Sequence, residues 1–347
     1  MPTTVVSTIN KPGEDYNTIA LWEAAKQGNL VLADQVQQGD CYNDDGNLDE
    51  TGIVIDGSTT DATRYMVLSS PVGERHTGKA GTGFHLRPTG NSLRVIFVAD
   101  QYVRIEWLEI SNFFNGWYGH AHGIDLDNSG SAAAAPLVQN CIVHDSQGGA
   151  SNNLHFGISW NRFAKVWNCI VYNVHSEGIK GYDGYGGGVQ VYHCTVYNCG
   201  QFGNKANIHS ADPGEIKNCC SIATNGTGNA FNYGGATGSY NIADDASATG
   251  TGSRTDGSTT DFVSTTGGSE DLRIANSDDP EVDHGTDLGA TAAIDINGRN
   301  RDTEGDVWDM GAHEFVAPVN PDTFARRRPE EDWRLRTNRV AEHLVGA

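Results

Sequence analysis

The chain has 347 residues, enough for one large domain or two ordinary ones, and a formal net charge of −21, which opposes non-specific binding to nucleic acid or to an anionic membrane surface. Glycine is abundant at 43 residues against 10 prolines, and 37% of residues are hydrophobic, a balance that suits many short strands and tight turns better than long helices. No apolar run reaches the length of about eighteen residues that membrane insertion requires.

The opening MPTTVVSTINKPGEDYN shows neither the basic start nor the apolar stretch of a secretory signal. Residues 18–27, TIALWEAAKQ, predict a short amphipathic helix. Asn17 or Thr18 is its cap and Gly28 its stop, while Ile19, Trp22 and one of Ala25 or Lys26 seal the apolar end of whatever follows. Strands are expected at 92–100, SLRVIFVAD, and 103–113, VRIEWLEISNF.

A repeat then carries the fold expectation. QNCIVHDS at 139–146, WNCIVYNV at 167–174, YHCTVYNC at 192–199 and KNCCSIAT at 217–224 superpose, placing Cys141, Cys169, Cys194 and Cys219 at intervals of 28, 25 and 25 residues. A two-residue period turns each of the first three cysteines and the valine two positions on (Val143, Val171, Val196) to one face, which predicts a buried thiol column. Such a column suits a reducing cytoplasm, and without CxxC spacing it is not a zinc site. A second series, HGIDLD at 122–127, FGISWN at 156–161, EGIKGY at 177–182 and ANIHSA at 206–211, places an isoleucine inward and a polar neighbour outward in each coil.

Residues 244–270 are rich in Ser, Thr, Gly, Asp and Ala and read as long surface turns on the last coils. The tail FARRRPEEDWRLRTNRVAEHLVGA is locally basic, and Pro329 with the acidic residues after it favours a helix start. The expected fold is therefore all-β, a right-handed parallel β-helix with a capping helix over 1–30, the solenoid over 31–317 and a C-terminal helical arm over 318–347.

These coils, with the closing AIDINGRNRDTEGDVWDMGAHEF at 293–315, resemble the parallel β-helix superfamily that includes pectate lyases and many virus and phage surface proteins. The closing segment is similar to the DxxGxxR…DxGAxEF ending of β-helix repeat proteins, which implies a last coil in which Asp295, Arg299, Asp309 and Glu314 act as a structural lock. Calcium capture by Asp302, Glu304 and Asp306 is the weaker alternative, since no recognised loop spacing is present. No cofactor is otherwise implied.

The outward neighbours in the second series, Asp125, Ser159, Lys180 and His209, form a ladder expected to face solvent, with Asp127 one step along. Lyases of this superfamily use exterior carboxylates with calcium and a basic residue, which implies Asp125 and Asp127 as carboxylates and Lys180 or His209 as base. The arginine base and signature motifs of pectate lyases cannot be placed in this chain, so the catalytic assignment rests on the ladder. Asp125 and Asp127 at about 7 Å also fit an inverting glycosidase. Histidines 120, 122, 155, 175, 193 and 209 cluster in the central coils but read as isolated turn residues, so no metal ligand is assigned. Trp117, Tyr118, Tyr182 and Tyr185, beside glycines, suit stacking on sugar rings.

Two functions stand. The first is a structural or attachment component of a phage or virus particle (a capsid decoration, spike or fibre), assembled in the host cytoplasm. It would associate as a homotrimer, contact capsid or tail proteins through Arg326, Arg327, Arg328 and Trp333, and bind a polysaccharide. The alternative is an extracellular polysaccharide lyase or glycoside hydrolase using the exterior groove. Neither involves nucleic acid or membrane insertion.

Overall fold

The computed structural model describes residues 1–91, 93–114, 119–127, 130–146, 154–182, 186–201, 205–224, 228–304 and 307–317. The chain winds into a parallel β-helix whose three long sheets have nine, seven and seven strands, each strand pairing parallel with its counterpart in the next coil. The first sheet runs from Thr3–Ile9 to Ala236–Ser239. The second contains Ile142–His144, Ile170–Tyr172 and Thr195–Tyr197. The third contains Arg94–Val98, Ala121–Leu126, His155–Trp160, Ile179–Gly181 and Ile208–Ser210.

The register is the one the repeats predict. Val143 pairs with Val171 and Val171 with Val196 in the second sheet, while Ile124, Ile158, Ile179 and Ile208 stack in the third. Cys141, Cys169, Cys194 and Cys219 are fully buried with free thiols, and the carbonyls of the first three accept from Ile170, Thr195 and Cys220 of the following coil at 2.9 Å. Burial drives the thiols of Cys141, Cys169 and Cys194 well above the ordinary cysteine range, so they act as small apolar groups.

The corner before each of these cysteines needs a left-handed residue. Asn140, Asn168, His193 and Asn218 occupy it with φ of 53°, 51°, 51° and 54°. Asparagine tolerates that region because its short amide compensates locally for the Cβ strain.

At the amino end, Thr3–Ile9 is already a solenoid strand, pairing with Gln35–Cys41, so residues 1–30 are not solely a cap. Helix Ile19–Lys26 is capped by Thr18, whose Oγ1 accepts from Leu21 N at 3.2 Å. Ile19 and Trp22 are fully buried and close the first coil, but Ala25 is exposed and Glu23 is the third buried residue.

The closing segment differs from the expectation of a final coil. After the last strand of the parallel sheets, Ile242–Ala243, and a single parallel bridge to it from Arg254, the chain doubles back and lies as a strap over the outer face of the second sheet. Phe262, Leu272, Ile296, Met310 and Ala312 bury Ile142, Ile170, Tyr172, Tyr197 and Cys220 there in a second hydrophobic core. The corner asparagines hold it: Asn168 Nδ2 donates to Ile294 O at 2.8 Å, Asn218 Nδ2 to Thr286 O at 2.7 Å, and Asn140 Nδ2 to Asp295 O. The second sheet is therefore covered on both faces, which accounts for apolar residues at successive positions in its strands.

Within the strap, Asp295 accepts from the backbone N–H groups of Asn297, Arg299 and Glu314, and Asp309 from those of Asp283 and Phe315. Arg299 reaches the Glu314 carbonyl and, among the described residues, makes no carboxylate ion pair through its side chain. That pairing belongs to Arg301, whose guanidinium meets the Glu314 carboxylate. Asp302 accepts from Trp308 Nε1 and Glu304 from Asn300 N, while Asp306 lies outside the described residues.

Two compact units divide the chain, Met1–Phe315 and Val316–Ala347. Arg326, Arg327, Arg328 and Trp333 lie outside the described residues.

Candidate functional site

The third sheet positions a cleft of about 530 Å³ on its outer face, within the size range of small-molecule sites. The strands that form its floor share the pattern x-Gly-Ile-z, as in His-Gly-Ile-Asp, Phe-Gly-Ile-Ser and Glu-Gly-Ile-Lys. Regular alternation would put x on the same face as the isoleucine. Instead the alternation slips at the glycine, because a Cβ on Gly157 would sit 2.5 Å from Gly178 O and 2.6 Å from Val171 Cγ1 in the interior. Both x and z consequently face outward, and two files form.

One file is Arg94, His122 and Phe156, paired in register, with Glu177 in the next coil. The other is Phe97, Asp125, Ser159, Lys180 and His209. The predicted ladder is thus assembled, but it does not stand open to solvent: Asp125 and Ser159 are buried, and Lys180 and His209 are partly covered.

Two networks organise the cleft. Arg94 Nε lies 2.6 Å from Asp125 Oδ2, Ser159 Oγ donates to Asp125 Oδ1 at 2.8 Å, and His122 Nδ1 lies 2.7 Å from Ser159 Oγ. Because the serine proton goes to Asp125, His122 donates through Nδ1 and keeps its Nε2 lone pair. Burial, with Arg94 and His120 nearby, pushes His122 down to about 3, so its ring is neutral. Burial also raises the Asp125 carboxyl, against the pull of Ser159 and Arg94. Ser159 is not a nucleophile in the manner of a hydrolase triad: it is fully buried and sits between the acid and the imidazole.

In the second network Lys180 Nζ lies 3.2 Å from Glu177 Oε1 and 2.6 Å from His209 Nδ1, and Ser176 Oγ donates to Glu177 Oε2. Burial pushes Glu177 up, yet the contacts with His209, Lys180 and Ser176 outweigh it and hold the carboxyl at about 2. Phe156 packs 5.5 Å from Tyr182, whose hydroxyl burial and the nearby Asp125 and Glu177 push upward.

Of the residues expected from sequence, Asp125, Lys180 and Tyr182 line this cleft, and His209 joins it through Lys180. Asp127 follows the strand end, bonding through its backbone N–H to Val98 O, and does not line the cleft, so the carboxylate facing Asp125 across the floor is Glu177. Trp117, Tyr118 and Tyr185 lie outside the described residues. Sequence reasoning did not place Arg94, His122, Phe156 and Glu177 in the site; for the last three, the position before the glycine of each repeat was the signal, whereas Arg94 precedes a valine and carried none. In comparison with known proteins, no family model and no curated protein matches this sequence.

Proposed function

We propose that this chain is a saccharide-engaging β-helix that serves as an attachment component of a phage or virus particle, with the third-sheet cleft as its sugar site. The observation that carries the saccharide assignment is the convergence of two outward files into one cleft. Charged pairs there suit bidentate contact with hydroxyls, and the ring of the partly buried Tyr182, backed by the buried Phe156, flanks them. Acidic sugars are preferred: Arg94, Lys180 and Lys205 outnumber Asp125 and Glu177 by one in a chain of net charge −21. The particle assignment draws on the resemblance of the coils and on the buried free thiols, which suit folding in a reducing cytoplasm.

The test is binding of uronic-acid and neutral oligosaccharides by the full chain, with Lys180→Ala and Tyr182→Ala as comparisons. Acidic oligomers should bind and both variants should weaken them at least tenfold. Equal binding by the variants overturns the cleft assignment. For the particle role, a chain lacking residues 322–347 should fold yet fail to join particles, and unchanged incorporation sinks it.

A second reading, a polysaccharide lyase or hydrolase, is favoured by one feature, the neutral His122 with its open Nε2 beside the Asp125 and Glu177 carboxylates. Turnover of any of these uronic-acid or neutral oligosaccharides, lost in His122→Ala, establishes it; binding without turnover leaves attachment alone.

A further inference from the structure

We propose that His85, Glu109 and His144 form a binding site for a divalent transition-metal ion of the zinc type on the outer face of the second sheet. The three residues come from three successive coils. His85 pairs in register with Glu109, and His144 stands two positions beyond Ile142, the residue opposite Glu109.

Their ligand atoms already converge. Glu109 Oε1 is 3.4 Å from His85 Nε2 and 3.1 Å from His144 Nε2, and all three atoms lie within 4.8 Å of one another. Metal–ligand bonds of about 2.0–2.1 Å place tetrahedral corners about 3.3–3.4 Å apart, so an ion fits with small side-chain shifts. His85 Nε2 also lies 2.7 Å from Ser111 Oγ, a contact the ion takes over.

The supporting groups are those a metal site needs. Gly81 N donates to Glu109 Oε2 at 2.6 Å, which leaves Oε1 as the coordinating corner. Asp145 Oδ2 lies 3.0 Å from His144 Nδ1, the carboxylate contact that fixes a ligating imidazole with Nε2 outward. Tyr172 stacks on the same ring at 4.7 Å. Glu109 and His144 border a partly open cavity of about 300 Å³ lined also by residues 79–81 and 268–270, where Asp145 and Glu270 add negative charge against the single cation of Lys79 and room remains for a water as fourth ligand. A two-histidine, one-carboxylate set with an open corner suits zinc better than calcium or magnesium, which take oxygen ligands. Such an ion would staple three coils, and the site is independent of the third-sheet cleft.

The test uses the full chain stripped with chelator and titrated with Zn²⁺ by calorimetry and with Co²⁺ by visible absorption. One equivalent should bind, with the strong visible bands of four-coordinate cobalt and no thiolate charge-transfer band. Glu109→Gln and the partly exposed His85→Ala should each weaken binding at least a hundredfold while circular dichroism stays unchanged, and Asp145→Asn should weaken it about 10–100-fold. Zinc should raise the Tm of the unmodified chain and not that of His85→Ala. No stoichiometric binding, binding undiminished in both ligand variants, or a thiolate signature each overturns the proposal.

Discussion

Arg301 Nη1 donates to Glu314 Oε2 at 2.6 Å, and neither side chain reaches solvent. Arg301 Nη2 also meets the carbonyls of Gly311 and Ala312 at 3.1 Å and Asn168 Oδ1 at 3.3 Å, so one guanidinium joins two parts of the strap to a corner of the solenoid.

Replacing Arg301 with methionine leaves Glu314 buried without its partner. The expected loss is about 3–5 kcal/mol of unfolding free energy, measured by denaturant titration. Adding Glu314→Gln should recover part of that loss. A single-variant effect below about 0.5 kcal/mol contradicts the ion pair as a fastening.

Gly157→Ala places a methyl group against Gly178 O and Val171 Cγ1. Overpacking of this kind costs about 1–3 kcal/mol, and it should also weaken saccharide binding because the slip in alternation aims both files at the cleft. An unchanged denaturation midpoint would show that the third sheet has slack there.

Glu177 is held at about 2 in the folded chain against an ordinary value of 4.5. A depressed carboxylate contributes stability above its unfolded value that disappears as pH falls through the folded one. Lys180 and His209 face this carboxylate from the third sheet, with Ser176 beside it. Glu177→Gln should therefore be less stable than the unmodified chain at pH 6, by about 3 kcal/mol, and should converge with it between pH 4.5 and 2. Parallel Tm curves over that window are incompatible with the assignment.

All seven cysteines are buried, and none is in a disulfide. A maleimide should modify none of them in the native chain over the time in which it labels all seven in denaturant, as read by mass spectrometry. Rapid native labelling of Cys141, Cys169 or Cys194 would place the column at the surface.

The coils were legible because one residue type recurs once per turn: a cysteine just before the strands at 142, 170, 195 and 220 and an isoleucine in the third-sheet strands from 121 to 210 stack only if the chain superposes on itself. The strap was not legible as a strap, since its partners lie far off in sequence, 126 residues apart for Asn168 and Ile294 and 68 for Asn218 and Thr286. Its trace was nevertheless present in Cys141-Ile142-Val143 and Cys169-Ile170-Val171, where neighbours of opposite parity are all apolar. Half of the cleft escaped because strict alternation hides His122 and Glu177, and only the packing at Gly157 and its equivalents shows the slip. His85, Glu109 and His144 carry no local spacing at all; stacking alone brings them together.

An array joined only from neighbour to neighbour can peel one turn at a time from either end. Here the bonds from Asn140, Asn168 and Asn218 to residues 286–295 lash turns that are not adjacent, so the carboxyl end cannot fray without first stripping its own binding. A molecule of repeating parts should thereby melt more nearly as one unit, over the turns that the strap spans.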